Sequence, residues 1–581
     1  MSSFTPATQD QLLALSVNAG IAELGQSERF PAAEPDMVEA IVEGIGAFAA
    51  GEFAPLNRVG DQEGAQQDGD TVRLPEGFKE AYASFVEQGW NAIAGPPEHG
   101  GQGLPFTLSC NVLENLGTAN AAFTLLPTLS AGAIEALEHH GSEAQRAMYL
   151  PKLISGEWPG TMNLTEPQAG SDVGALRSTA VPIEDGEHAG KYRIAGQKIF
   201  ITWGEHDLAE NIIHLVLARL PDAPEGSRGI SLFVVPKFLV KEDGSLGARN
   251  DLRVVSVEHK LGIHASPTCV MSYGDQGECI GELVGQPNRG LAAMFTMMNN
   301  ARINIGNQGV QIAERATQHA LYYAQDRVQS ARAGSPDKNP VAIIEHPDVR
   351  RMLLRMKALT EGARALLYYT AGLVDRGALG DDTAGRRADV LVPMLKAWGT
   401  DVCCEVSSLG VQVHGGMGFI EETGAAQHYR DARIAPIYEG TNGIQAADLV
   451  TRKLGLSDGA DYAELMAELA SDTANEAPGL SGLASSCASI AEWMRNEAIL
   501  DDRLAASVPF CTMSAVAVAG WQLLKQKRAV ASGAAPALAA TKPVTTDYFL
   551  THIVAEAAGL EASVRAGASL LYTLSAEQLA G

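Results

Sequence analysis

The hydrophobic pattern of this chain changes twice along its length, and these changes limit the folds that it can adopt. From about residue 35 to 155, apolar side chains recur every three to four positions, as in EPDMVEAIVEGIGAFAAGEF, which predicts amphipathic helices. From 160 to 280 the chain has short β-branched runs bounded by Gly, Pro and Asp, such as KYRIAGQKIFIT and GISLFVVPKFLV, which predict strands. Helical periodicity returns at Gly290.

The expected fold class is therefore α+β and mostly helical, with several domains, because 581 residues exceed one ordinary core. The predicted domains are an N-terminal helical domain, a middle β-domain, a helical bundle domain and a C-terminal helical extension, at 1–158, 159–282, 283–456 and 457–581. The extension is Ala-rich and has apolar helical faces that must be buried. It contains no Gly-rich loop and no group of His and carboxylate residues that would suggest an active site, so we expect it to be dispensable for the chemistry.

Composition limits which partners and which cellular compartment we expect for this chain. The net charge of -26 and the lack of a concentrated basic run predict no nucleic-acid partner. Charge or Gly interrupts the longest apolar stretches within about 18 residues, so no integral membrane association is expected. The N-terminus lacks the pattern of a secretory signal, which favours a cytoplasmic protein. Seven scattered cysteines without a C-x-x-C pair predict reduced thiols.

Two segments near the start of the β-domain contain residues that are suited to bind a cofactor. In MNLTEPQAGSDVGALRSTA, Thr165, Gly170 and Ser171 offer small hydroxyls and open backbone N–H groups, which can approach a polar ring edge closely. In KIFITWGEHD, a strand places Phe200 and Thr202 on one face, where they can pack against and hydrogen-bond a ring. Taken singly, these segments are also compatible with a surface turn and with a half-buried strand face.

A third segment, RDARIAPIYEGTNGIQAADLVTRKL, contains a candidate general base. Glu439 follows the apolar run IAPIY and precedes Gly-Thr-Asn-Gly, so its carboxylate is expected in a poorly solvated position. Poor solvation raises the pKa of a carboxyl group, which suits a base that works near neutral pH. By itself, the same acid is also compatible with an ordinary helix cap or turn.

Taken together, TEPQAGSD, FITWG, VQVHGGMGF and YRDARIAPIYEGTNGIQ, in this order, resemble the acyl-CoA dehydrogenase family over about residues 35 to 455. The resemblance implies an N-terminal helical domain, a middle β-domain and a C-terminal four-helix bundle. With its extension, the chain resembles a bacterial branch that includes 3-methylmercaptopropionyl-CoA dehydrogenases. The implied activity is FAD-dependent α,β-dehydrogenation of an acyl-CoA to a trans-2-enoyl-CoA, with Glu439 as the base and an electron-transfer flavoprotein as the acceptor.

Several alternatives stay open within this resemblance. An acyl-CoA oxidase shares the fold and the base but passes electrons to oxygen. A DNA-associated flavoprotein of the same fold needs a basic C-terminal region, whereas Lys and Arg after residue 456 are dispersed among acids. The acyl group is equally open, from 3-methylmercaptopropionyl-CoA to short or long fatty acyl-CoA, because periodicity does not fix the depth of a pocket.

The resemblance also implies the residues that hold the ligands. For FAD they are Met162, Leu164, Thr165, Gly170, Ser171, Phe200, Ile201, Thr202, Arg327, Gln412, His414, Gly415, Gly416, Gly440, Thr441 and Asn442. For the acyl-CoA they are Ser171, Arg302, Glu439 and Gly440. In the family, the positions of Arg327 and of residues 412–416 contact the FAD of a neighbouring subunit, which implies a homodimer or homotetramer.

The chain departs from the family pattern at three positions. Phe200 stands where most members have Trp, His414 lies in VHGG where many have ILGG, and Gly443 replaces a Gln or Glu. A metal role for His414 lacks partner ligands at suitable spacing, so no metal site is expected. Some members carry the base just before the Arg that matches Arg302, but here that residue is Ala301. Glu439 therefore has no competitor.

Overall fold

The computed structural model describes residues 4–581, apart from the side chains of residues 295–297. The helices are α1 (Thr8–Ala14), α2 (Ile21–Leu24), α3 (Pro35–Phe48), α4 (Leu56–Glu63), α5 (Phe78–Glu87), α6 (Phe106–Ala119), α7 (Ala121–His140), α8 (Glu143–Ser155), α9 (Gly290–Asp326), α10 (Pro347–Ala378), α11 (Asp382–His414), α12 (Ala425–Ala432), α13 (Asn442–Thr451), α14 (Ala460–Thr473), α15 (Pro478–Asn496), α16 (Leu500–Ala531), α17 (Lys542–Tyr548), α18 (Val554–Ala558), α19 (Glu561–Arg565) and α20 (Ala576–Ala580). The strands are β1 (Gln66–Asp68), β2 (Thr71–Arg73), β3 (Gly160–Asn163), β4 (Thr179–Pro182), β5 (Tyr192–Thr202), β6 (Ile213–Arg219), β7 (Ile230–Pro236), β8 (Phe238–Val240), β9 (Leu246–Arg249), β10 (Leu252–Val257), β11 (Thr268–Tyr273) and β12 (Ile280–Val284). The predicted change from helices to strands and back is confirmed.

The chain forms two compact units. The β unit comprises Phe48–Leu104 and Ala119–Ala301. The helical unit comprises the chain up to Ala47, Pro105–Thr118 and Arg302–Gly581. The domain boundaries after residues 158, 282 and 456 stay predictions.

The β unit is built on an eight-stranded sheet with the order β10-β11-β5-β12-β7-β6-β3, in which β4 pairs with both β5 and β6. β3 runs parallel to β6, with Gly160 opposite Ile213, whereas β6 and β7 are antiparallel. Both central strands are buried along nearly their whole length. Because both faces of these strands are covered, their sequences are continuously apolar rather than alternating.

Helices α7 and α8 cover one face of this sheet. Their side chains share a core with Leu215 and Leu217 of β6, whereas Val216 of the same strand belongs to the core on the other face. Asn120 caps α7 by accepting from the N–H of Phe123, and a capping box begins α8. One feature was not predicted: β1 and β2 form a small hairpin within the predominantly helical N-terminal region.

The helical unit is organised by the three long helices α9, α10 and α11. Arg364 of α10 is 2% exposed and binds Glu114 of α6 at 2.7 Å and Glu314 of α9 at 2.8 Å. The Tyr368 hydroxyl also donates to Glu114, at 2.6 Å. The two carboxylate partners offset the cost of burying the Arg364 guanidinium. These contacts link α6, α9 and α10.

The C-terminal extension packs on these helices, as predicted. Lys542 of α17 binds Glu361 of α10 at 2.8 Å. The Phe549 ring lies so close to Gly362 that a Cβ there would come within 2.6 Å of it. Trp398 of α11 meets Phe549 edge-on, with ring centroids 6.2 Å apart. The extension therefore shares a core with α10 and α11.

Helix α16 differs from the expectation drawn from apolar runs. Within the described residues it is the one helix long and apolar enough to cross a membrane by length and composition, and 72% of its apolar window is buried inside the protein. Its apolar character therefore also fits a core helix. The seven cysteines, all within the described part, are free.

Candidate active site

In the β unit, the turn after β3 exposes backbone beside a buried strand. Met162 is buried in β3, and the chain then turns tightly, with Glu166 and Ala169 exchanging two backbone hydrogen bonds of 3.1 and 2.9 Å. Gly170 and Ser171 are exposed, and a Cβ at Gly170 would meet nothing within 4 Å. The turn thus leaves open backbone on its outer side, where a planar ligand can approach closely.

A buried ion pair fixes this turn, and sequence reasoning missed it. Glu166 is 3% exposed and accepts from Lys198 at 2.8 Å and from the Ser178 hydroxyl at 2.6 Å. Lys198 also donates to the Leu164 carbonyl at 3.1 Å. Burial alone raises the pKa of Glu166, but the Lys198 charge and the hydrogen bonds lower it to about 2. The signal was present in the sequence, because Glu166 follows the predicted contact Thr165 and Lys198 begins the segment KIFIT.

The end of β5 carries an exposed aromatic ring in a strained conformation. Phe200 is 58% exposed and has φ 59°, in the left-handed region that non-glycine residues rarely occupy. Opposite this position the pairing of β5 with β11 shifts by one residue, which is a β-bulge that re-aims a side chain. Ile201 is buried at 2%, and the Thr202 side chain is half-buried.

These β-unit residues fit a flavin ring. The N–H of Ile199 donates to the Thr165 carbonyl at 2.9 Å, so the turn after β3 and the end of β5 lie side by side. Together they present the aromatic face of Phe200, the hydroxyls of Thr165 and Thr202, and the open backbone at Gly170. An exposed aromatic on strained backbone is a common mark of a binding site. The two segments that the sequence singled out are thus neighbours in the β unit.

In the helical unit, Glu439 lies in the turn between α12 and α13. Its φ is 54°, and that of Gly440 is 83°. Thr441 caps α13, its hydroxyl accepting from the N–H of Ile444 at 3.2 Å. Among the described residues, the backbone N–H of Glu439 has no hydrogen-bond partner. The turn therefore presents a carboxylate and a free N–H from the same residue.

Two cations influence the Glu439 carboxyl. Burial raises its pKa, and the charges of Arg302 and Lys396 act in the opposite direction. Arg302 of α9 is 7% exposed, and its Nε has no partner among the residues that the structure describes. Glu439 as a whole residue is half-buried. Part of the residue therefore stays accessible, although burial raises the pKa of its carboxyl group.

Lys396, in the middle of α11, is a second site residue that sequence reasoning missed. It is fully buried and donates to Asn442 at 2.9 Å. Neighbouring Tyr438 donates its hydroxyl to Gln308 of α9. No motif marks Lys396, because it stands 43 residues before Glu439 inside an ordinary helical run.

The residues implied to meet a neighbour's FAD lie on the surface of the helical unit. Gln412, Gly415 and Gly416 are exposed at the end of α11, and a Cβ at either glycine would meet nothing within 4 Å. Arg327 is exposed just after α9 and donates to Gln329 at 3.3 Å. The structure records no contact between Arg327 and the described residues 412–416.

His414 points the other way and is buried at 3%. Its Nδ1 lies 2.7 Å from the Gly410 carbonyl, and the Tyr323 ring stacks on it with centroids 4.3 Å apart. Burial lowers the pKa of His414, so it is neutral at physiological pH. Across the described residues, no group of three or more His, Cys, Asp or Glu side chains is placed to hold a metal ion.

The candidate residues thus fall into sets that differ in location. Thr165, Gly170, Phe200 and Thr202 belong to the β unit, whereas Arg302 and residues 439–442 belong to the helical unit.

Comparison with known proteins agrees with these features. Family models described as the acyl-CoA dehydrogenase N-terminal, middle and C-terminal domains match residues 35–157, 161–275 and 288–454. A further model, described as acetyl-CoA dehydrogenase C-terminal like, matches residues 460–575.

Individual relatives match most of the chain. A 3-methylmercaptopropionyl-CoA dehydrogenase of Ruegeria pomeroyi is 50% identical over 547 residues, which cover 90% of this chain and 91% of that protein. A butyryl-CoA dehydrogenase of Syntrophomonas wolfei is 40% identical over 72% of this chain and 70% of its own length. A solved acyl-CoA dehydrogenase complexed with FAD, from Bacillus anthracis, superimposes with a TM-score of 0.73 at 22% identity, over 94% of this chain and 91% of that one. At that identity the likeness shows the fold alone.

Proposed function

This chain belongs to the acyl-CoA dehydrogenase family, whose members are FAD enzymes, and on that premise we propose that it removes the α-proton of an acyl-CoA thioester with Glu439. The product is a trans-2-enoyl-CoA. One observation carries the assignment of the base: the Glu439 turn presents a carboxylate of raised pKa and an unpaired backbone N–H side by side.

The two groups of Glu439 have complementary tasks. The α-proton of a thioester is a weak acid, so negative charge that develops on the carbonyl oxygen must be stabilised as the C–H bond breaks. The free N–H of Glu439 is a preorganised donor for that oxygen. The carboxylate accepts the proton, and a pKa raised by burial brings the base closer to that of its target. The left-handed backbone at Glu439 and Gly440 shapes the turn that carries both groups.

The β unit supplies the proposed flavin platform. Phe200 would stack on the ring, the Thr202 hydroxyl would donate to its edge, and the turn from Met162 to Ser171 would line it. When bound, FAD supplies the acceptor for the hydride that leaves the β-carbon. Phe200 retains the stacking area of the Trp found in most members but lacks the indole N–H. The Glu166–Lys198 pair keeps the turn rigid by holding the Leu164 carbonyl and residues 177–178.

We propose 3-methylmercaptopropionyl-CoA, or an unbranched acyl-CoA of similar length, as the substrate. Support comes from the 50% identity to a 3-methylmercaptopropionyl-CoA dehydrogenase over 90% of the chain and from the 40% identity to a butyryl-CoA dehydrogenase. Arg302 and Gly440 of the helical unit line the acyl-CoA site in this proposal. The proposed electron acceptor is an electron-transfer flavoprotein.

We further propose a homodimer or homotetramer. Three apolar side chains beside the exposed glycines face solvent in the single chain, Met417 at 47%, Phe419 at 86% and Ile420 at 44%. A cluster of exposed large apolar residues is typical of a protein interface. A second copy that covers this surface brings residues 412–416 to its own FAD, as the family pattern implies.

Anaerobic flavin bleaching tests the activity. The FAD-loaded protein is mixed without oxygen with a panel of acyl-CoAs that includes 3-methylmercaptopropionyl-CoA, butyryl-CoA and long-chain thioesters. The expected result is loss of flavin absorbance with the short substrates and formation of the enoyl-CoA. Absence of bleaching with every thioester contradicts the proposal, and rapid reoxidation by air with hydrogen peroxide release identifies an oxidase instead.

A further inference from the structure

Lys396 is a buried lysine whose ammonium group has no carboxylate partner among the described residues. It lies in the middle of α11 with no exposed surface, and its Nζ donates to the Asn442 side-chain oxygen at 2.9 Å. No carboxylate of the described chain approaches this Nζ within 4 Å. Burying a cation without a counter-ion is costly, and here burial lowers the pKa of Lys396 to about 8. A methionine would fill the same volume at lower cost.

The Asn442 amide that Lys396 binds ties the base-carrying turn to α11. Its Nδ2 donates to the Ala397 carbonyl at 2.9 Å and to Asp401 at 2.8 Å. Its backbone N–H donates to the Pro436 carbonyl at 2.9 Å. Asn442 therefore fastens one end of the segment 436–442, which contains Glu439, to the neighbouring helix.

Groups on both sides of this amide favour one orientation, because its Nδ2 donates to Ala397 and Asp401 while its oxygen accepts from Lys396 and, at 3.1 Å, from the Thr400 hydroxyl. An asparagine side chain can flip and exchange its oxygen and its NH₂ group. The ammonium of Lys396 accepts no hydrogen bond, so it favours the orientation with Oδ1 toward itself and Nδ2 toward Ala397 and Asp401. Glu439 at φ 54° is in a conformation that persists only where its surroundings hold it.

We propose, on the basis of the proposed function, that Lys396 is a positioning residue for the base: its ammonium orients Asn442, and Asn442 holds the turn that presents Glu439. The charge of Lys396 acts on the same carboxylate through space. It thereby favours the ionised form that a base needs before it accepts a proton.

The charged groups around Glu439 and Lys396 determine how the reaction rate should depend on pH. Arg302 and Lys396 face Glu439, and both lower its pKa against the effect of burial. The charges of Glu439, Asp401 and Cys403 raise the pKa of Lys396, whereas that of Arg302 lowers it. Tyr438, which carries a further titratable hydroxyl, directly precedes Glu439 in the chain. Among these groups, Lys396 can be replaced without removing a residue implied to touch the substrate.

The first experiment is single-turnover flavin reduction by the FAD-loaded Lys396→Met protein, with the best acyl-CoA of the wild type, across about pH 6 to 9. We expect the limiting rate at neutral pH to fall about 10- to 100-fold, which is typical of a misplaced reacting group, and the kinetic pKa of the base to move upward. FAD content should match the wild type, and Lys396→Arg should recover part of the rate. Lys453→Met is the matched control, because Lys453 is also buried but lies 3.3 Å from Asp389.

The second experiment measures the Glu439 carboxyl without turnover. Infrared difference titration, with Glu439→Gln to identify the band, should show a higher Glu439 pKa in Lys396→Met than in the wild type. Asn442→Leu should slow flavin reduction to a similar extent while leaving the ammonium in place. The double variant should be little worse than either single one if the two residues act in series.

Opposite outcomes overturn the proposal. They are a wild-type rate and pH profile in Lys396→Met, an equal loss in Lys453→Met, or fully additive losses in the double variant. Failure of the proposed function looks different: no acyl-CoA reduces the wild-type flavin, while the infrared comparison still reports on the effect of Lys396.

Discussion

Replacement of Lys542 by methionine tests how firmly the C-terminal extension is attached to the long helices. Lys542 begins α17 and is 2% exposed, and its ammonium binds Glu361 at 2.8 Å and Asp10 at 2.6 Å. Methionine keeps the apolar stem of the side chain but removes the cation from the buried carboxylate of Glu361 and the partly buried carboxylate of Asp10. The variant should therefore lose stability while the reacting residues stay unchanged.

Two independent figures set the size of the loss. Removing one partner of a buried ion pair typically costs about 3–5 kcal/mol. Burial raises the pKa of Asp10, but the charges of Lys542, Lys357 and Arg364 more than offset this and lower it from 3.8 to about 2. This shift corresponds to about 2 kcal/mol of stability, to which all three cations contribute. Lys357 remains 2.8 Å from Glu361 in the variant and compensates in part, so we expect a loss of about 2–3 kcal/mol.

The assay is urea unfolding of the FAD-loaded protein, followed by flavin and tryptophan fluorescence. Lys527→Met is the matched control, because the Lys527–Asp547 pair of the same extension is 2.5 Å long but has side chains 27% and 57% exposed, and an exposed pair contributes at most about 1 kcal/mol. Asp10 has a lowered pKa in the folded state, so its contribution is present above about pH 4 and is lost toward pH 2. The difference between Lys542→Met and wild type should shrink over that range. Equal stability of the two variants at pH 7 would refute the reasoning.

Three further predictions concern the reaction and the assembly. Glu439→Gln should keep the fold and FAD but lose flavin reduction by about 10⁴-fold, the upper range for a general base; retention of a tenth of the wild-type rate would place the base elsewhere. Phe200→Ala should weaken FAD binding in a fluorescence titration by about 1 kcal/mol or more, as expected for lost ring contact, without lowering apoprotein stability, because the ring is 58% exposed; unchanged affinity would contradict the stacking role. Light scattering should show two or four subunits, and Arg327→Ala should weaken FAD binding in that assembly, whereas a monomer that holds FAD tightly would be inconsistent with a shared site.

Local pattern alone predicted much of this protein. The change from helical to β periodicity near residue 160 and back near 290 follows from which side chains must be buried, and this depends on spacing along the chain. The order of the motifs identified the family fold and the C-terminal extension. The apolar run before Glu439 indicated a carboxyl of raised pKa, and the structure gives the same direction.

Tertiary structure decided what holds these residues in place. Glu166 and Lys198 are 32 residues apart, Lys396 and Asn442 are 46 apart, and Lys542 and Glu361 are 181 apart. No local rule pairs residues at such separations, because periodicity specifies the face on which a side chain lies but not which element will cover it.

The same limit applies to backbone strain and to apolar helices. The sequence alternation predicted Phe200 and Thr202 on one face of β5, but the left-handed φ of Phe200 arises from a bulge that depends on the register with β11. Helix α16 is apolar enough to suit a membrane, and only the packing of the helical unit shows that most of its apolar window is buried inside the protein. Sequence thus determined which residues are reactive and which are apolar, whereas the long-range contacts decided their conformation, charge state and burial, because these depend on neighbours that the chain brings together only when it folds.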